Sequence, residues 1–416
     1  MSEFLIKSTN ELFGDVEISG SKNSSLPILA ASLLTEGKNI IANIPDLSDI
    51  RVMYSILETL GAKIDIHKKE TVIDTQNICE YTTPYELVGK MRGSFLLAGP
   101  LLSRMKKARI SLPGGCPIGT RPVDLHLKGF AAMGADIKQG HGYVELSAKR
   151  LHGEKIYLDF PSVGATENII MAAVLAEGET IIENAAAEPE IVDLTDFLIK
   201  QGAKIEGSGS DTIKITGVET LNPVVHRVIP DRIEAGTFMT AFAMLGGQGI
   251  INNVVFDHIK PVCAKLSEIG VEIKPYGEDS IKIKSFNHLK TSDIKTMPFP
   301  GFPTDMQALF TSLLTVCDGT GIIVETVFEN RFLHVSELNR MGASIRIDGR
   351  TSVIEGVRSL SGAKVNAFDL RGGASLCLAG MRAKGDTYVS GVQHIERGYE
   401  NFVDKFQKIG AKIEII

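Results

Sequence analysis

The sequence contains no tryptophan, and aromatic residues make up only 6% of its 416 positions. This scarcity argues against a β-sandwich built around an aromatic core. No apolar run approaches the roughly 18 residues that a membrane-spanning helix needs. The N-terminus, Met1-Ser2-Glu3-Phe4, lacks the basic and apolar regions of a secretory signal peptide. We therefore expect a soluble cytoplasmic protein that does not associate with a membrane.

Cysteine is also scarce, and positive charge is not in excess. The five cysteines are widely spaced and form no Cys-x-x-Cys pair, so neither a disulfide framework nor a zinc site is expected. The net charge is −6 and no long run of one sign occurs, which argues against nucleic-acid binding because that needs a basic face. A small anionic ligand is still compatible with this composition, since a few arginines can converge locally.

Glycine, by contrast, is abundant, with 41 residues, and six glycines mark an internal repeat. Each of the six follows an amphipathic stretch and precedes an alternating strand pattern, which is typical of a helix C-terminus that requires positive φ. Their spacings are 73, 68, 68, 72 and 68 residues. The six are Gly61, Gly134, Gly202, Gly270, Gly342 and Gly410.

Each unit of about 70 residues reads as strand, helix, strand, helix and two further strands. The first helix is apolar on most faces, as in Leu26–Leu34 and Ala308–Val316, and is predicted to be buried. The second helix is more polar and is predicted to face solvent. Buried helices need cover on all sides, so we expect an α/β protein (α+β in some schemes) with three units in each of two domains, helices inside and sheets outside.

Cations stand at several predicted helix starts, where they oppose the helix dipole. Lys22, Arg92 and Arg371 open first helices, and Arg121, Arg331 and Arg397 open second helices. One interpretation is a set of solvated bases on tolerant turns. The interpretation that we favour is a convergent site for a multiply charged anion carrying phosphate and carboxylate groups, since helix N-termini already bind anions.

Acidic residues stand at other helix starts. Asp231 and Glu190 are interpreted first as helix caps. Asp305 follows the stiff turn Pro300-Gly301-Phe302-Pro303-Thr304, which would hold its carboxylate in a fixed direction. Local sequence leaves two roles open for Asp305, a helix cap and a general base for a hydroxyl group.

The segment Leu112–Arg121 contains three glycines and two prolines around Cys116, which predicts an exposed loop that could close as a lid. A thiol near Arg121 in such a loop is in a setting that lowers its pKa and favours proton donation or nucleophilic attack. The alternative is an incidental thiol in a turn. His126 and His394 are further candidates, and for His394 a structural role at a helix start is favoured.

Six short motifs are spread over nearly the whole chain: Gly20–Asn23, Pro113–His126, Pro161–Asn168, Pro303–Gln307, Phe328–Phe332 and Glu396–Glu400. Together they resemble the UDP-N-acetylglucosamine 1-carboxyvinyltransferases, a group within the enolpyruvyl transferase family. The Gly-Gly-Cys segment resembles the corresponding loop of this group rather than that of the rest of the superfamily.

The resemblance implies a two-domain inside-out α/β barrel of six βαβαββ repeats. Residues 22–229 would form the N-terminal domain with the Cys116 lid, 1–21 with 230–416 the C-terminal domain, and the active site would lie in the cleft between them. It also implies the first committed step of peptidoglycan synthesis, transfer of the enolpyruvyl group of phosphoenolpyruvate to the 3′-hydroxyl of UDP-N-acetylglucosamine with release of phosphate. No metal or organic cofactor is implied, and the oligomeric state is left open.

The resemblance also implies site residues. Catalysis would use Cys116 as proton donor and as the target of the epoxide fosfomycin, Asp305 as base, and Lys22 and Arg397. Phosphoenolpyruvate would be held by Lys22, Asn23, Arg121, Arg331, Arg371 and Arg397. UDP-N-acetylglucosamine would be held by Arg92, Arg121, Pro122, Val123, Asp124, Leu125, Ser162, Val163, Gly164, Asp305 and Val327.

One departure and two rival functions accompany this assignment. Phe160 stands where some family members carry lysine, and phenylalanine cannot pair with a phosphate. The first rival is the shikimate-pathway enolpyruvyl transferase, which would be expected to lack the Gly-Gly-Cys lid and to read Gly-Ser-Lys-Ser where this chain has Asn23. The second is a non-catalytic paralogue that binds the nucleotide sugar, and loss of Lys22, Cys116 or Arg397 would have supported it.

Overall fold

A computed structural model describes residues 2–67, 70–89, 91–112, 123–286 and 289–416. Within these ranges the strands are β1 (Phe4–Lys7), β2 (Leu12–Glu17), β3 (Lys38–Ala42), β4 (Lys63–Ile66), β5 (Glu70–Asp74), β6 (Lys107–Ser111), β7 (Asp136–Gly140), β8 (Tyr143–Ser147), β9 (Lys155–Tyr157), β10 (Glu179–Glu183), β11 (Lys204–Glu206), β12 (Thr212–Thr216), β13 (Val225–Arg227), β14 (Gly247–Asn252), β15 (Glu272–Pro275), β16 (Ser280–Ser285), β17 (Ile294–Lys295), β18 (Thr320–Val324), β19 (Ser344–Asp348), β20 (Thr351–Glu355), β21 (Lys364–Asn366), β22 (Thr387–Ser390) and β23 (Lys412–Ile415).

The α-helices of the same ranges are α1 (Lys22–Ala31), α2 (Ser48–Thr59), α3 (Tyr85–Val88), α4 (Ala98–Met105), α5 (Asp124–Ala132), α6 (Val163–Ala173), α7 (Pro189–Gln201), α8 (Arg232–Leu245), α9 (Phe256–Ile269), α10 (Gln307–Leu314), α11 (Leu333–Arg340), α12 (Leu370–Arg382) and α13 (Phe402–Lys408). Short 3₁₀ helices cover Ser32–Leu34, Arg92–Leu97, Thr304–Met306 and Val392–Arg397. No helix in the described ranges is long and apolar enough to cross a membrane.

The chain divides into two compact units. One contains residues from Gly20 to Ile229, and the other contains the residues up to Ser19 together with Pro230–Ile416; we call them the 20–229 unit and the 230–416 unit. The N-terminal strands belong to the latter: β1 lies antiparallel between β22 and β23, with Phe4 opposite Val389, and β2 pairs in parallel with β14.

The sheets of both units are mixed and follow one plan, in which a parallel pair is extended by two antiparallel neighbours. In the 20–229 unit the orders are β13-β3-β5-β4, β9-β10-β12-β11 and β6-β8-β7. A parallel bridge between Thr82 and Arg109 occupies the fourth position beside β6. In the 230–416 unit the orders are β2-β14-β16-β15, β17-β18-β20-β19 and β21-β22-β1-β23. The chain therefore has an α/β fold with mixed sheets.

The helices differ in burial, as their sequences predict. In α8 every residue from Ile233 to Leu245 is buried, and α12 is buried from Arg371 to Met381. Both are rich in small and apolar residues, so neighbours can pack against them from all sides. By contrast α9 buries one stripe, Ile259, Val262, Cys263, Leu266 and Ile269, and leaves charged residues outside.

The prediction of positive φ at the six repeat glycines is confirmed. Their φ angles range from 89° to 113°, the left-handed region in which an L-residue with a Cβ is strained. The glycines therefore end the second helix of each unit and direct the chain into the following strand. The positive φ angle depends only on the residues of each turn, which is why a short sequence motif predicts it.

A matched pair of these glycines tests this requirement. Gly202 and Gly61 have nearly equal φ angles of 109° and 107°. A Cβ on Gly202 would meet nothing within 4 Å, whereas one on Gly61 would lie 2.4 Å from the Asn77 carbonyl oxygen. We expect Gly202→Ala to lower the free energy of unfolding by about 1 kcal/mol and Gly61→Ala to lower it further. Thermal unfolding of the two variants measures this, and equal shifts in Tm would contradict it.

Candidate active site

The start of α1 carries the first two candidate residues. The Ser21 hydroxyl caps the helix by accepting from the Ser24 amide at 3.2 Å. Lys22 and Asn23 follow directly, so the prediction that Lys22 opens this helix is confirmed. The Lys22 ammonium lies 3.2 Å from Oδ2 of Asp49 in α2, and the two side chains are only 11% and 6% exposed. Asp49 was not predicted, because its pairing depends on the packing of α1 and α2.

A buried carboxylate also fixes the first turn of α1. Asp193 of α7 accepts from the Ser24 hydroxyl, from Nε2 of His226 at 2.8 Å and from the Ile229 amide at 3.2 Å. Nδ1 of His226 faces the Lys200 ammonium at 3.1 Å, and an ammonium can only donate. Hence Nε2 carries the hydrogen that is donated to Asp193. The contacts hold the turn next to Lys22 in one orientation.

The nucleotide-sugar candidates in the 20–229 unit lie at the starts of three helical segments. Arg92 opens the 3₁₀ helix before α4, and Val123, Asp124 and Leu125 surround the start of α5. Ser162 caps α6 by accepting from the Ala165 amide at 3.4 Å, and Val163 and Gly164 are the first residues of that helix. Phe160 is 41% exposed two residues before this cap.

His126 connects these segments. Its Nδ1 lies 2.9 Å from Nδ2 of Asn168, and its ring packs edge-on against Phe95. A Cβ on Gly164 would lie 3.2 Å from Cε1 of His126, so glycine allows the imidazole to approach the start of α6 closely. Burial, reinforced by the nearby Arg92 charge, lowers the pKa of His126 to about 3. His126 is therefore neutral at physiological pH and accepts the Asn168 hydrogen bond.

The low pKa of His126 predicts a pH-dependent stability. In the unfolded chain the pKa of this histidine is about 6.5, whereas in the folded protein it is about 3. Between these two pH values the unfolded state binds more protons than the folded state, so the free energy of unfolding falls as the pH falls through this window. His126→Asn keeps an acceptor near Nδ1 but removes the titration. Between pH 7 and pH 4.5, we expect the wild type to lose about 2–3 kcal/mol more unfolding free energy than this variant. Thermal unfolding at both pH values measures the difference, and parallel losses would contradict it.

In the 230–416 unit, Asp305 is the centre of a charged cluster. It lies in the 3₁₀ helix before α10 and is 24% exposed. Its Oδ1 lies 2.6 Å from Nη2 of Arg331, and its Oδ2 lies 3.5 Å from Nη2 of Arg371. Both carboxylate oxygens thus face a guanidinium group, and they point in a fixed direction. The arrangement differs from a helix cap, since the residue before this helix is Pro303 and no side-chain cap bond is made there.

Glu325 supports this cluster through hydrogen bonds to the residues around it. Its Oε2 accepts from the Thr304 hydroxyl at 2.8 Å, and that hydroxyl oxygen also accepts from Nη1 of Arg331 at 2.8 Å. Its Oε1 accepts from the Val327 amide at 2.8 Å and from the Phe328 amide at 3.1 Å. One buried carboxylate therefore fixes the turn of Val327, Thr304 and, through it, the Arg331 guanidinium. Sequence reasoning did not identify Glu325.

The cations predicted at helix starts in this unit lie at different positions relative to their helices. Arg371 is the second residue of α12, behind the cap Asp369, as predicted. Arg331 precedes α11 by two residues. The prediction that Arg397 opens a helix is wrong: it ends the 3₁₀ helix Val392–Arg397, because Gly398 stops that segment, and α13 begins only at Phe402. His394 lies in the same 3₁₀ helix.

Of the acidic residues, Asp231 is a helix cap, as predicted. Its Oδ1 accepts from the Ile233 amide at 2.8 Å and from the Glu234 amide at 2.9 Å. Glu190 lies buried in the first turn of α7. Among the described residues, no group of three or more His, Cys, Asp or Glu side chains could hold a metal ion.

Cys116, Arg121 and Pro122 lie outside the described residues. The other four cysteines are free thiols. Cys263, Cys317 and Cys377 are buried, and Cys79 is exposed. Burial raises the pKa of Cys263 and of Cys317 to about 12 and that of Cys377 further, so these three thiols are unreactive.

A family model for EPSP synthase (3-phosphoshikimate 1-carboxyvinyltransferase) matches residues 6–406. The chain belongs to this enolpyruvyl transferase family. It is 56% identical over 415 residues to UDP-N-acetylglucosamine 1-carboxyvinyltransferase 2 of Carboxydothermus hydrogenoformans, covering 100% of this chain and 99% of that relative. It is 52% identical to UDP-N-acetylglucosamine 1-carboxyvinyltransferase of Finegoldia magna, with the same coverage of 100% and 99%.

Solved enolpyruvyl transferase structures are also similar to this family member. The enolpyruvyl transferase NikO from Streptomyces tendae matches with a TM-score of 0.90 and 26% identity over 100% of this chain and 98% of that one. An EPSP synthase from Acinetobacter baumannii matches with a TM-score of 0.78 at 19% identity, covering both chains fully, and this likeness shows the fold alone. The sequence resemblance to the enolpyruvyl transferase family is thus confirmed.

Proposed function

We propose that this enolpyruvyl transferase moves the enolpyruvyl group of phosphoenolpyruvate to the 3′-hydroxyl of UDP-N-acetylglucosamine and releases phosphate. The observation that carries the proposal is identity of 50–56% along the whole chain to relatives named UDP-N-acetylglucosamine 1-carboxyvinyltransferase. The described side chains support it, because the chain provides cations for two anionic substrates and a carboxylate held in one direction. In a bacterial cell this product would enter peptidoglycan synthesis, and we place the reaction in the cytoplasm.

We also propose a more specific architecture for the two units. Six βαβαββ repeats, three per domain, with helices inside and sheets outside, would form an inside-out α/β barrel in each unit. The six sheets with one strand plan and the buried α8 and α12 support it. We also propose that residues of both units act on the same substrate pair.

The reaction needs two proton movements. The 3′-hydroxyl oxygen adds to C2 of phosphoenolpyruvate and loses its proton, while C3 gains a proton, which gives a tetrahedral phosphate-bearing intermediate. Loss of the C3 proton and departure of phosphate then restore the double bond. We assign Asp305 as the base that removes the hydroxyl proton and Cys116 as the acid that donates a proton to C3. Cys116 is also the expected target of fosfomycin.

The cations would stabilise the negative charge of the intermediate. We assign phosphoenolpyruvate to Lys22, Asn23, Arg121 and Arg397. The resemblance also implies direct contacts from Arg331 and Arg371, but both are buried beside Asp305, being 5% and 1% exposed. We propose that these two arginines act chiefly by holding the Asp305 carboxylate.

The nucleotide sugar is assigned to the helix starts of the 20–229 unit and to the 230–416 unit's Asp305 and Val327. In the 20–229 unit, Arg92 supplies positive charge. The backbone amides at the starts of α5 and α6 supply hydrogen-bond donors near Val123–Leu125 and Ser162–Gly164. Pro122 and Arg121 complete the set implied by the resemblance. The neutral His126 keeps the α5 and α6 segments together.

Phosphate release from phosphoenolpyruvate tests the proposal directly. We expect release with UDP-N-acetylglucosamine and none above background with shikimate 3-phosphate. The second acceptor is included because the matching family model is named for the 3-phosphoshikimate enzyme. Release with shikimate 3-phosphate alone would assign that activity instead, and release with neither would indicate a paralogue that binds without turnover.

A further inference from the structure

Tyr399 stands two residues after Arg397 and is buried, with 3% of its surface exposed. Its hydroxyl lies 2.8 Å from Oγ1 of Thr237, and that Thr237 hydroxyl donates to the Ile233 carbonyl at 2.8 Å. Because a threonine hydroxyl has one hydrogen, the Tyr399 hydroxyl is the donor in the first bond. Burial raises the pKa of Tyr399, so this hydroxyl stays protonated. The ring is therefore fixed to the first turns of α8.

The ring face of Tyr399 supports a buried cation. The Arg371 guanidinium carbon lies over the ring, 5.0 Å from its centroid, within the range of a cation–π interaction. In the described part of the chain, Nε and Nη1 of Arg371 have no hydrogen-bond partner. Nη2 is the nitrogen that faces Asp305, at 3.5 Å. The Tyr399 hydroxyl also interacts with the guanidinium, so the ring and the hydroxyl of Tyr399 together hold it in position.

The same segment also contacts the start of α12. A Cβ on Gly398 would lie 2.6 Å from Cδ2 of Leu370, the first residue of that helix. Glycine therefore allows the turn after Arg397 to pack directly on the residue before Arg371. The backbone continues this anchoring, because the Tyr399 amide donates to the Ile395 carbonyl at 3.2 Å.

We propose that Tyr399 is a positioning residue for enolpyruvyl transfer, which holds the Arg371 guanidinium against Asp305 and, through the same turn, fixes Arg397. This inference rests on the proposed function and on Asp305 acting in it. Tyr399 has no role in the assignments above, and its effect is exerted through Arg371. Loss of the ring would let the guanidinium move, so the carboxylate would lose one of its two fixed partners.

Steady-state kinetics of three Tyr399 variants test this. Tyr399→Leu and the more flexible Tyr399→Met remove the ring, and we expect kcat to fall about 3- to 30-fold, the range of a buried cation–π interaction. Tyr399→Phe keeps the ring but removes the hydroxyl, which bonds to Thr237 and interacts with Arg371, so we expect its kcat to fall by less than that of either ring-removing variant. The KM for UDP-N-acetylglucosamine should change little in all three. Two ring-removing variants are used so that poor folding of one does not end the test.

Two control variants separate positioning from general destabilisation. Tyr54→Phe removes a comparable bond, from a buried tyrosine to Thr71 at 3.2 Å in the 20–229 unit. Phe406→Leu truncates a fully buried ring in α13 that stacks on Phe238. We expect both to lower Tm by a few degrees and to leave kcat near the wild-type value. If Phe406→Leu and Tyr399→Leu lower kcat equally, the ring has only a structural role and the inference fails.

A double-mutant cycle with Arg371→Lys then asks whether Tyr399 acts through Arg371. Lysine keeps the charge but loses the planar group that the ring supports. We expect the combined Tyr399→Leu, Arg371→Lys variant to lose less kcat than the product of the two single losses. Multiplicative losses would overturn the inference. A wild-type enzyme inactive with UDP-N-acetylglucosamine would instead reject the proposed function, so the two failures are distinguishable.

Discussion

Asp305→Asn should lower kcat for phosphate release about 10²- to 10⁴-fold, the contribution typical of a general base. The amide is nearly isosteric with the carboxylate and can still accept from Arg331 at the Oδ1 position, 2.6 Å away in the wild type. It cannot take a proton from the sugar hydroxyl. Stopped assays over a long time course, with phosphate detection, cover this range of rates.

The control for Asp305→Asn is Asp293→Asn in the same unit. Asp293 precedes β17, and its Oδ1 accepts from the Ile322 amide at 2.9 Å, so its replacement removes a carboxylate outside the charged cluster. We expect kcat within about 2-fold of the wild type for this variant. A comparable fall in both variants, or an Asp305→Asn enzyme within 10-fold of the wild type, would remove Asp305 from the role of base.

The repeat could be predicted from the sequence because its determinants are local. A glycine that ends a helix with positive φ needs only its own turn, and the same small motif recurs six times. Burial of α8 and α12 follows from composition for a similar reason. An amphipathic helix must keep its polar face in contact with water, whereas a helix that is mostly apolar on every side is buried.

The partners of the functional side chains could not be predicted, because they are far apart in the chain. Asp305 meets Arg331 across 26 residues and Arg371 across 66. The Lys22–Asp49 pair spans 27 residues. In each case the residue types were visible, but the packing of helices decides which of many charges meet.

Arg397 shows where local reasoning fails. The repeat predicted that Arg397 opens the second helix of its unit, as Arg121 and Arg331 were expected to do in theirs. The structure instead has the end of a 3₁₀ helix, since Gly398 must approach Leu370 and Tyr399 must reach Thr237. Those contacts are made with α12 and α8, and no window of the sequence around Arg397 contains them.

Fosfomycin should abolish phosphate release and add its mass to one thiol, Cys116. The other four cysteines serve as internal comparisons. Burial raises the pKa of Cys263 and Cys317 to about 12 and that of Cys377 as well, so at pH 7.5 each is almost entirely the unreactive thiol. Cys79 is exposed and therefore tests whether exposure alone is enough. Peptide mapping after partial and complete inactivation measures which thiol carries the adduct.

The matched variants are Cys116→Ser and Cys79→Ser. Serine at 116 should prevent the mass increase and lower the rate of transfer at least about 100-fold at neutral pH, because a hydroxyl is a much weaker acid than a thiol. Serine at 79 should change neither labelling nor rate. Labelling at Cys79 that parallels loss of activity would assign the reactive thiol there. An adduct on Cys116 with activity retained would separate that residue from catalysis, and the proton at C3 would then have to come from another group.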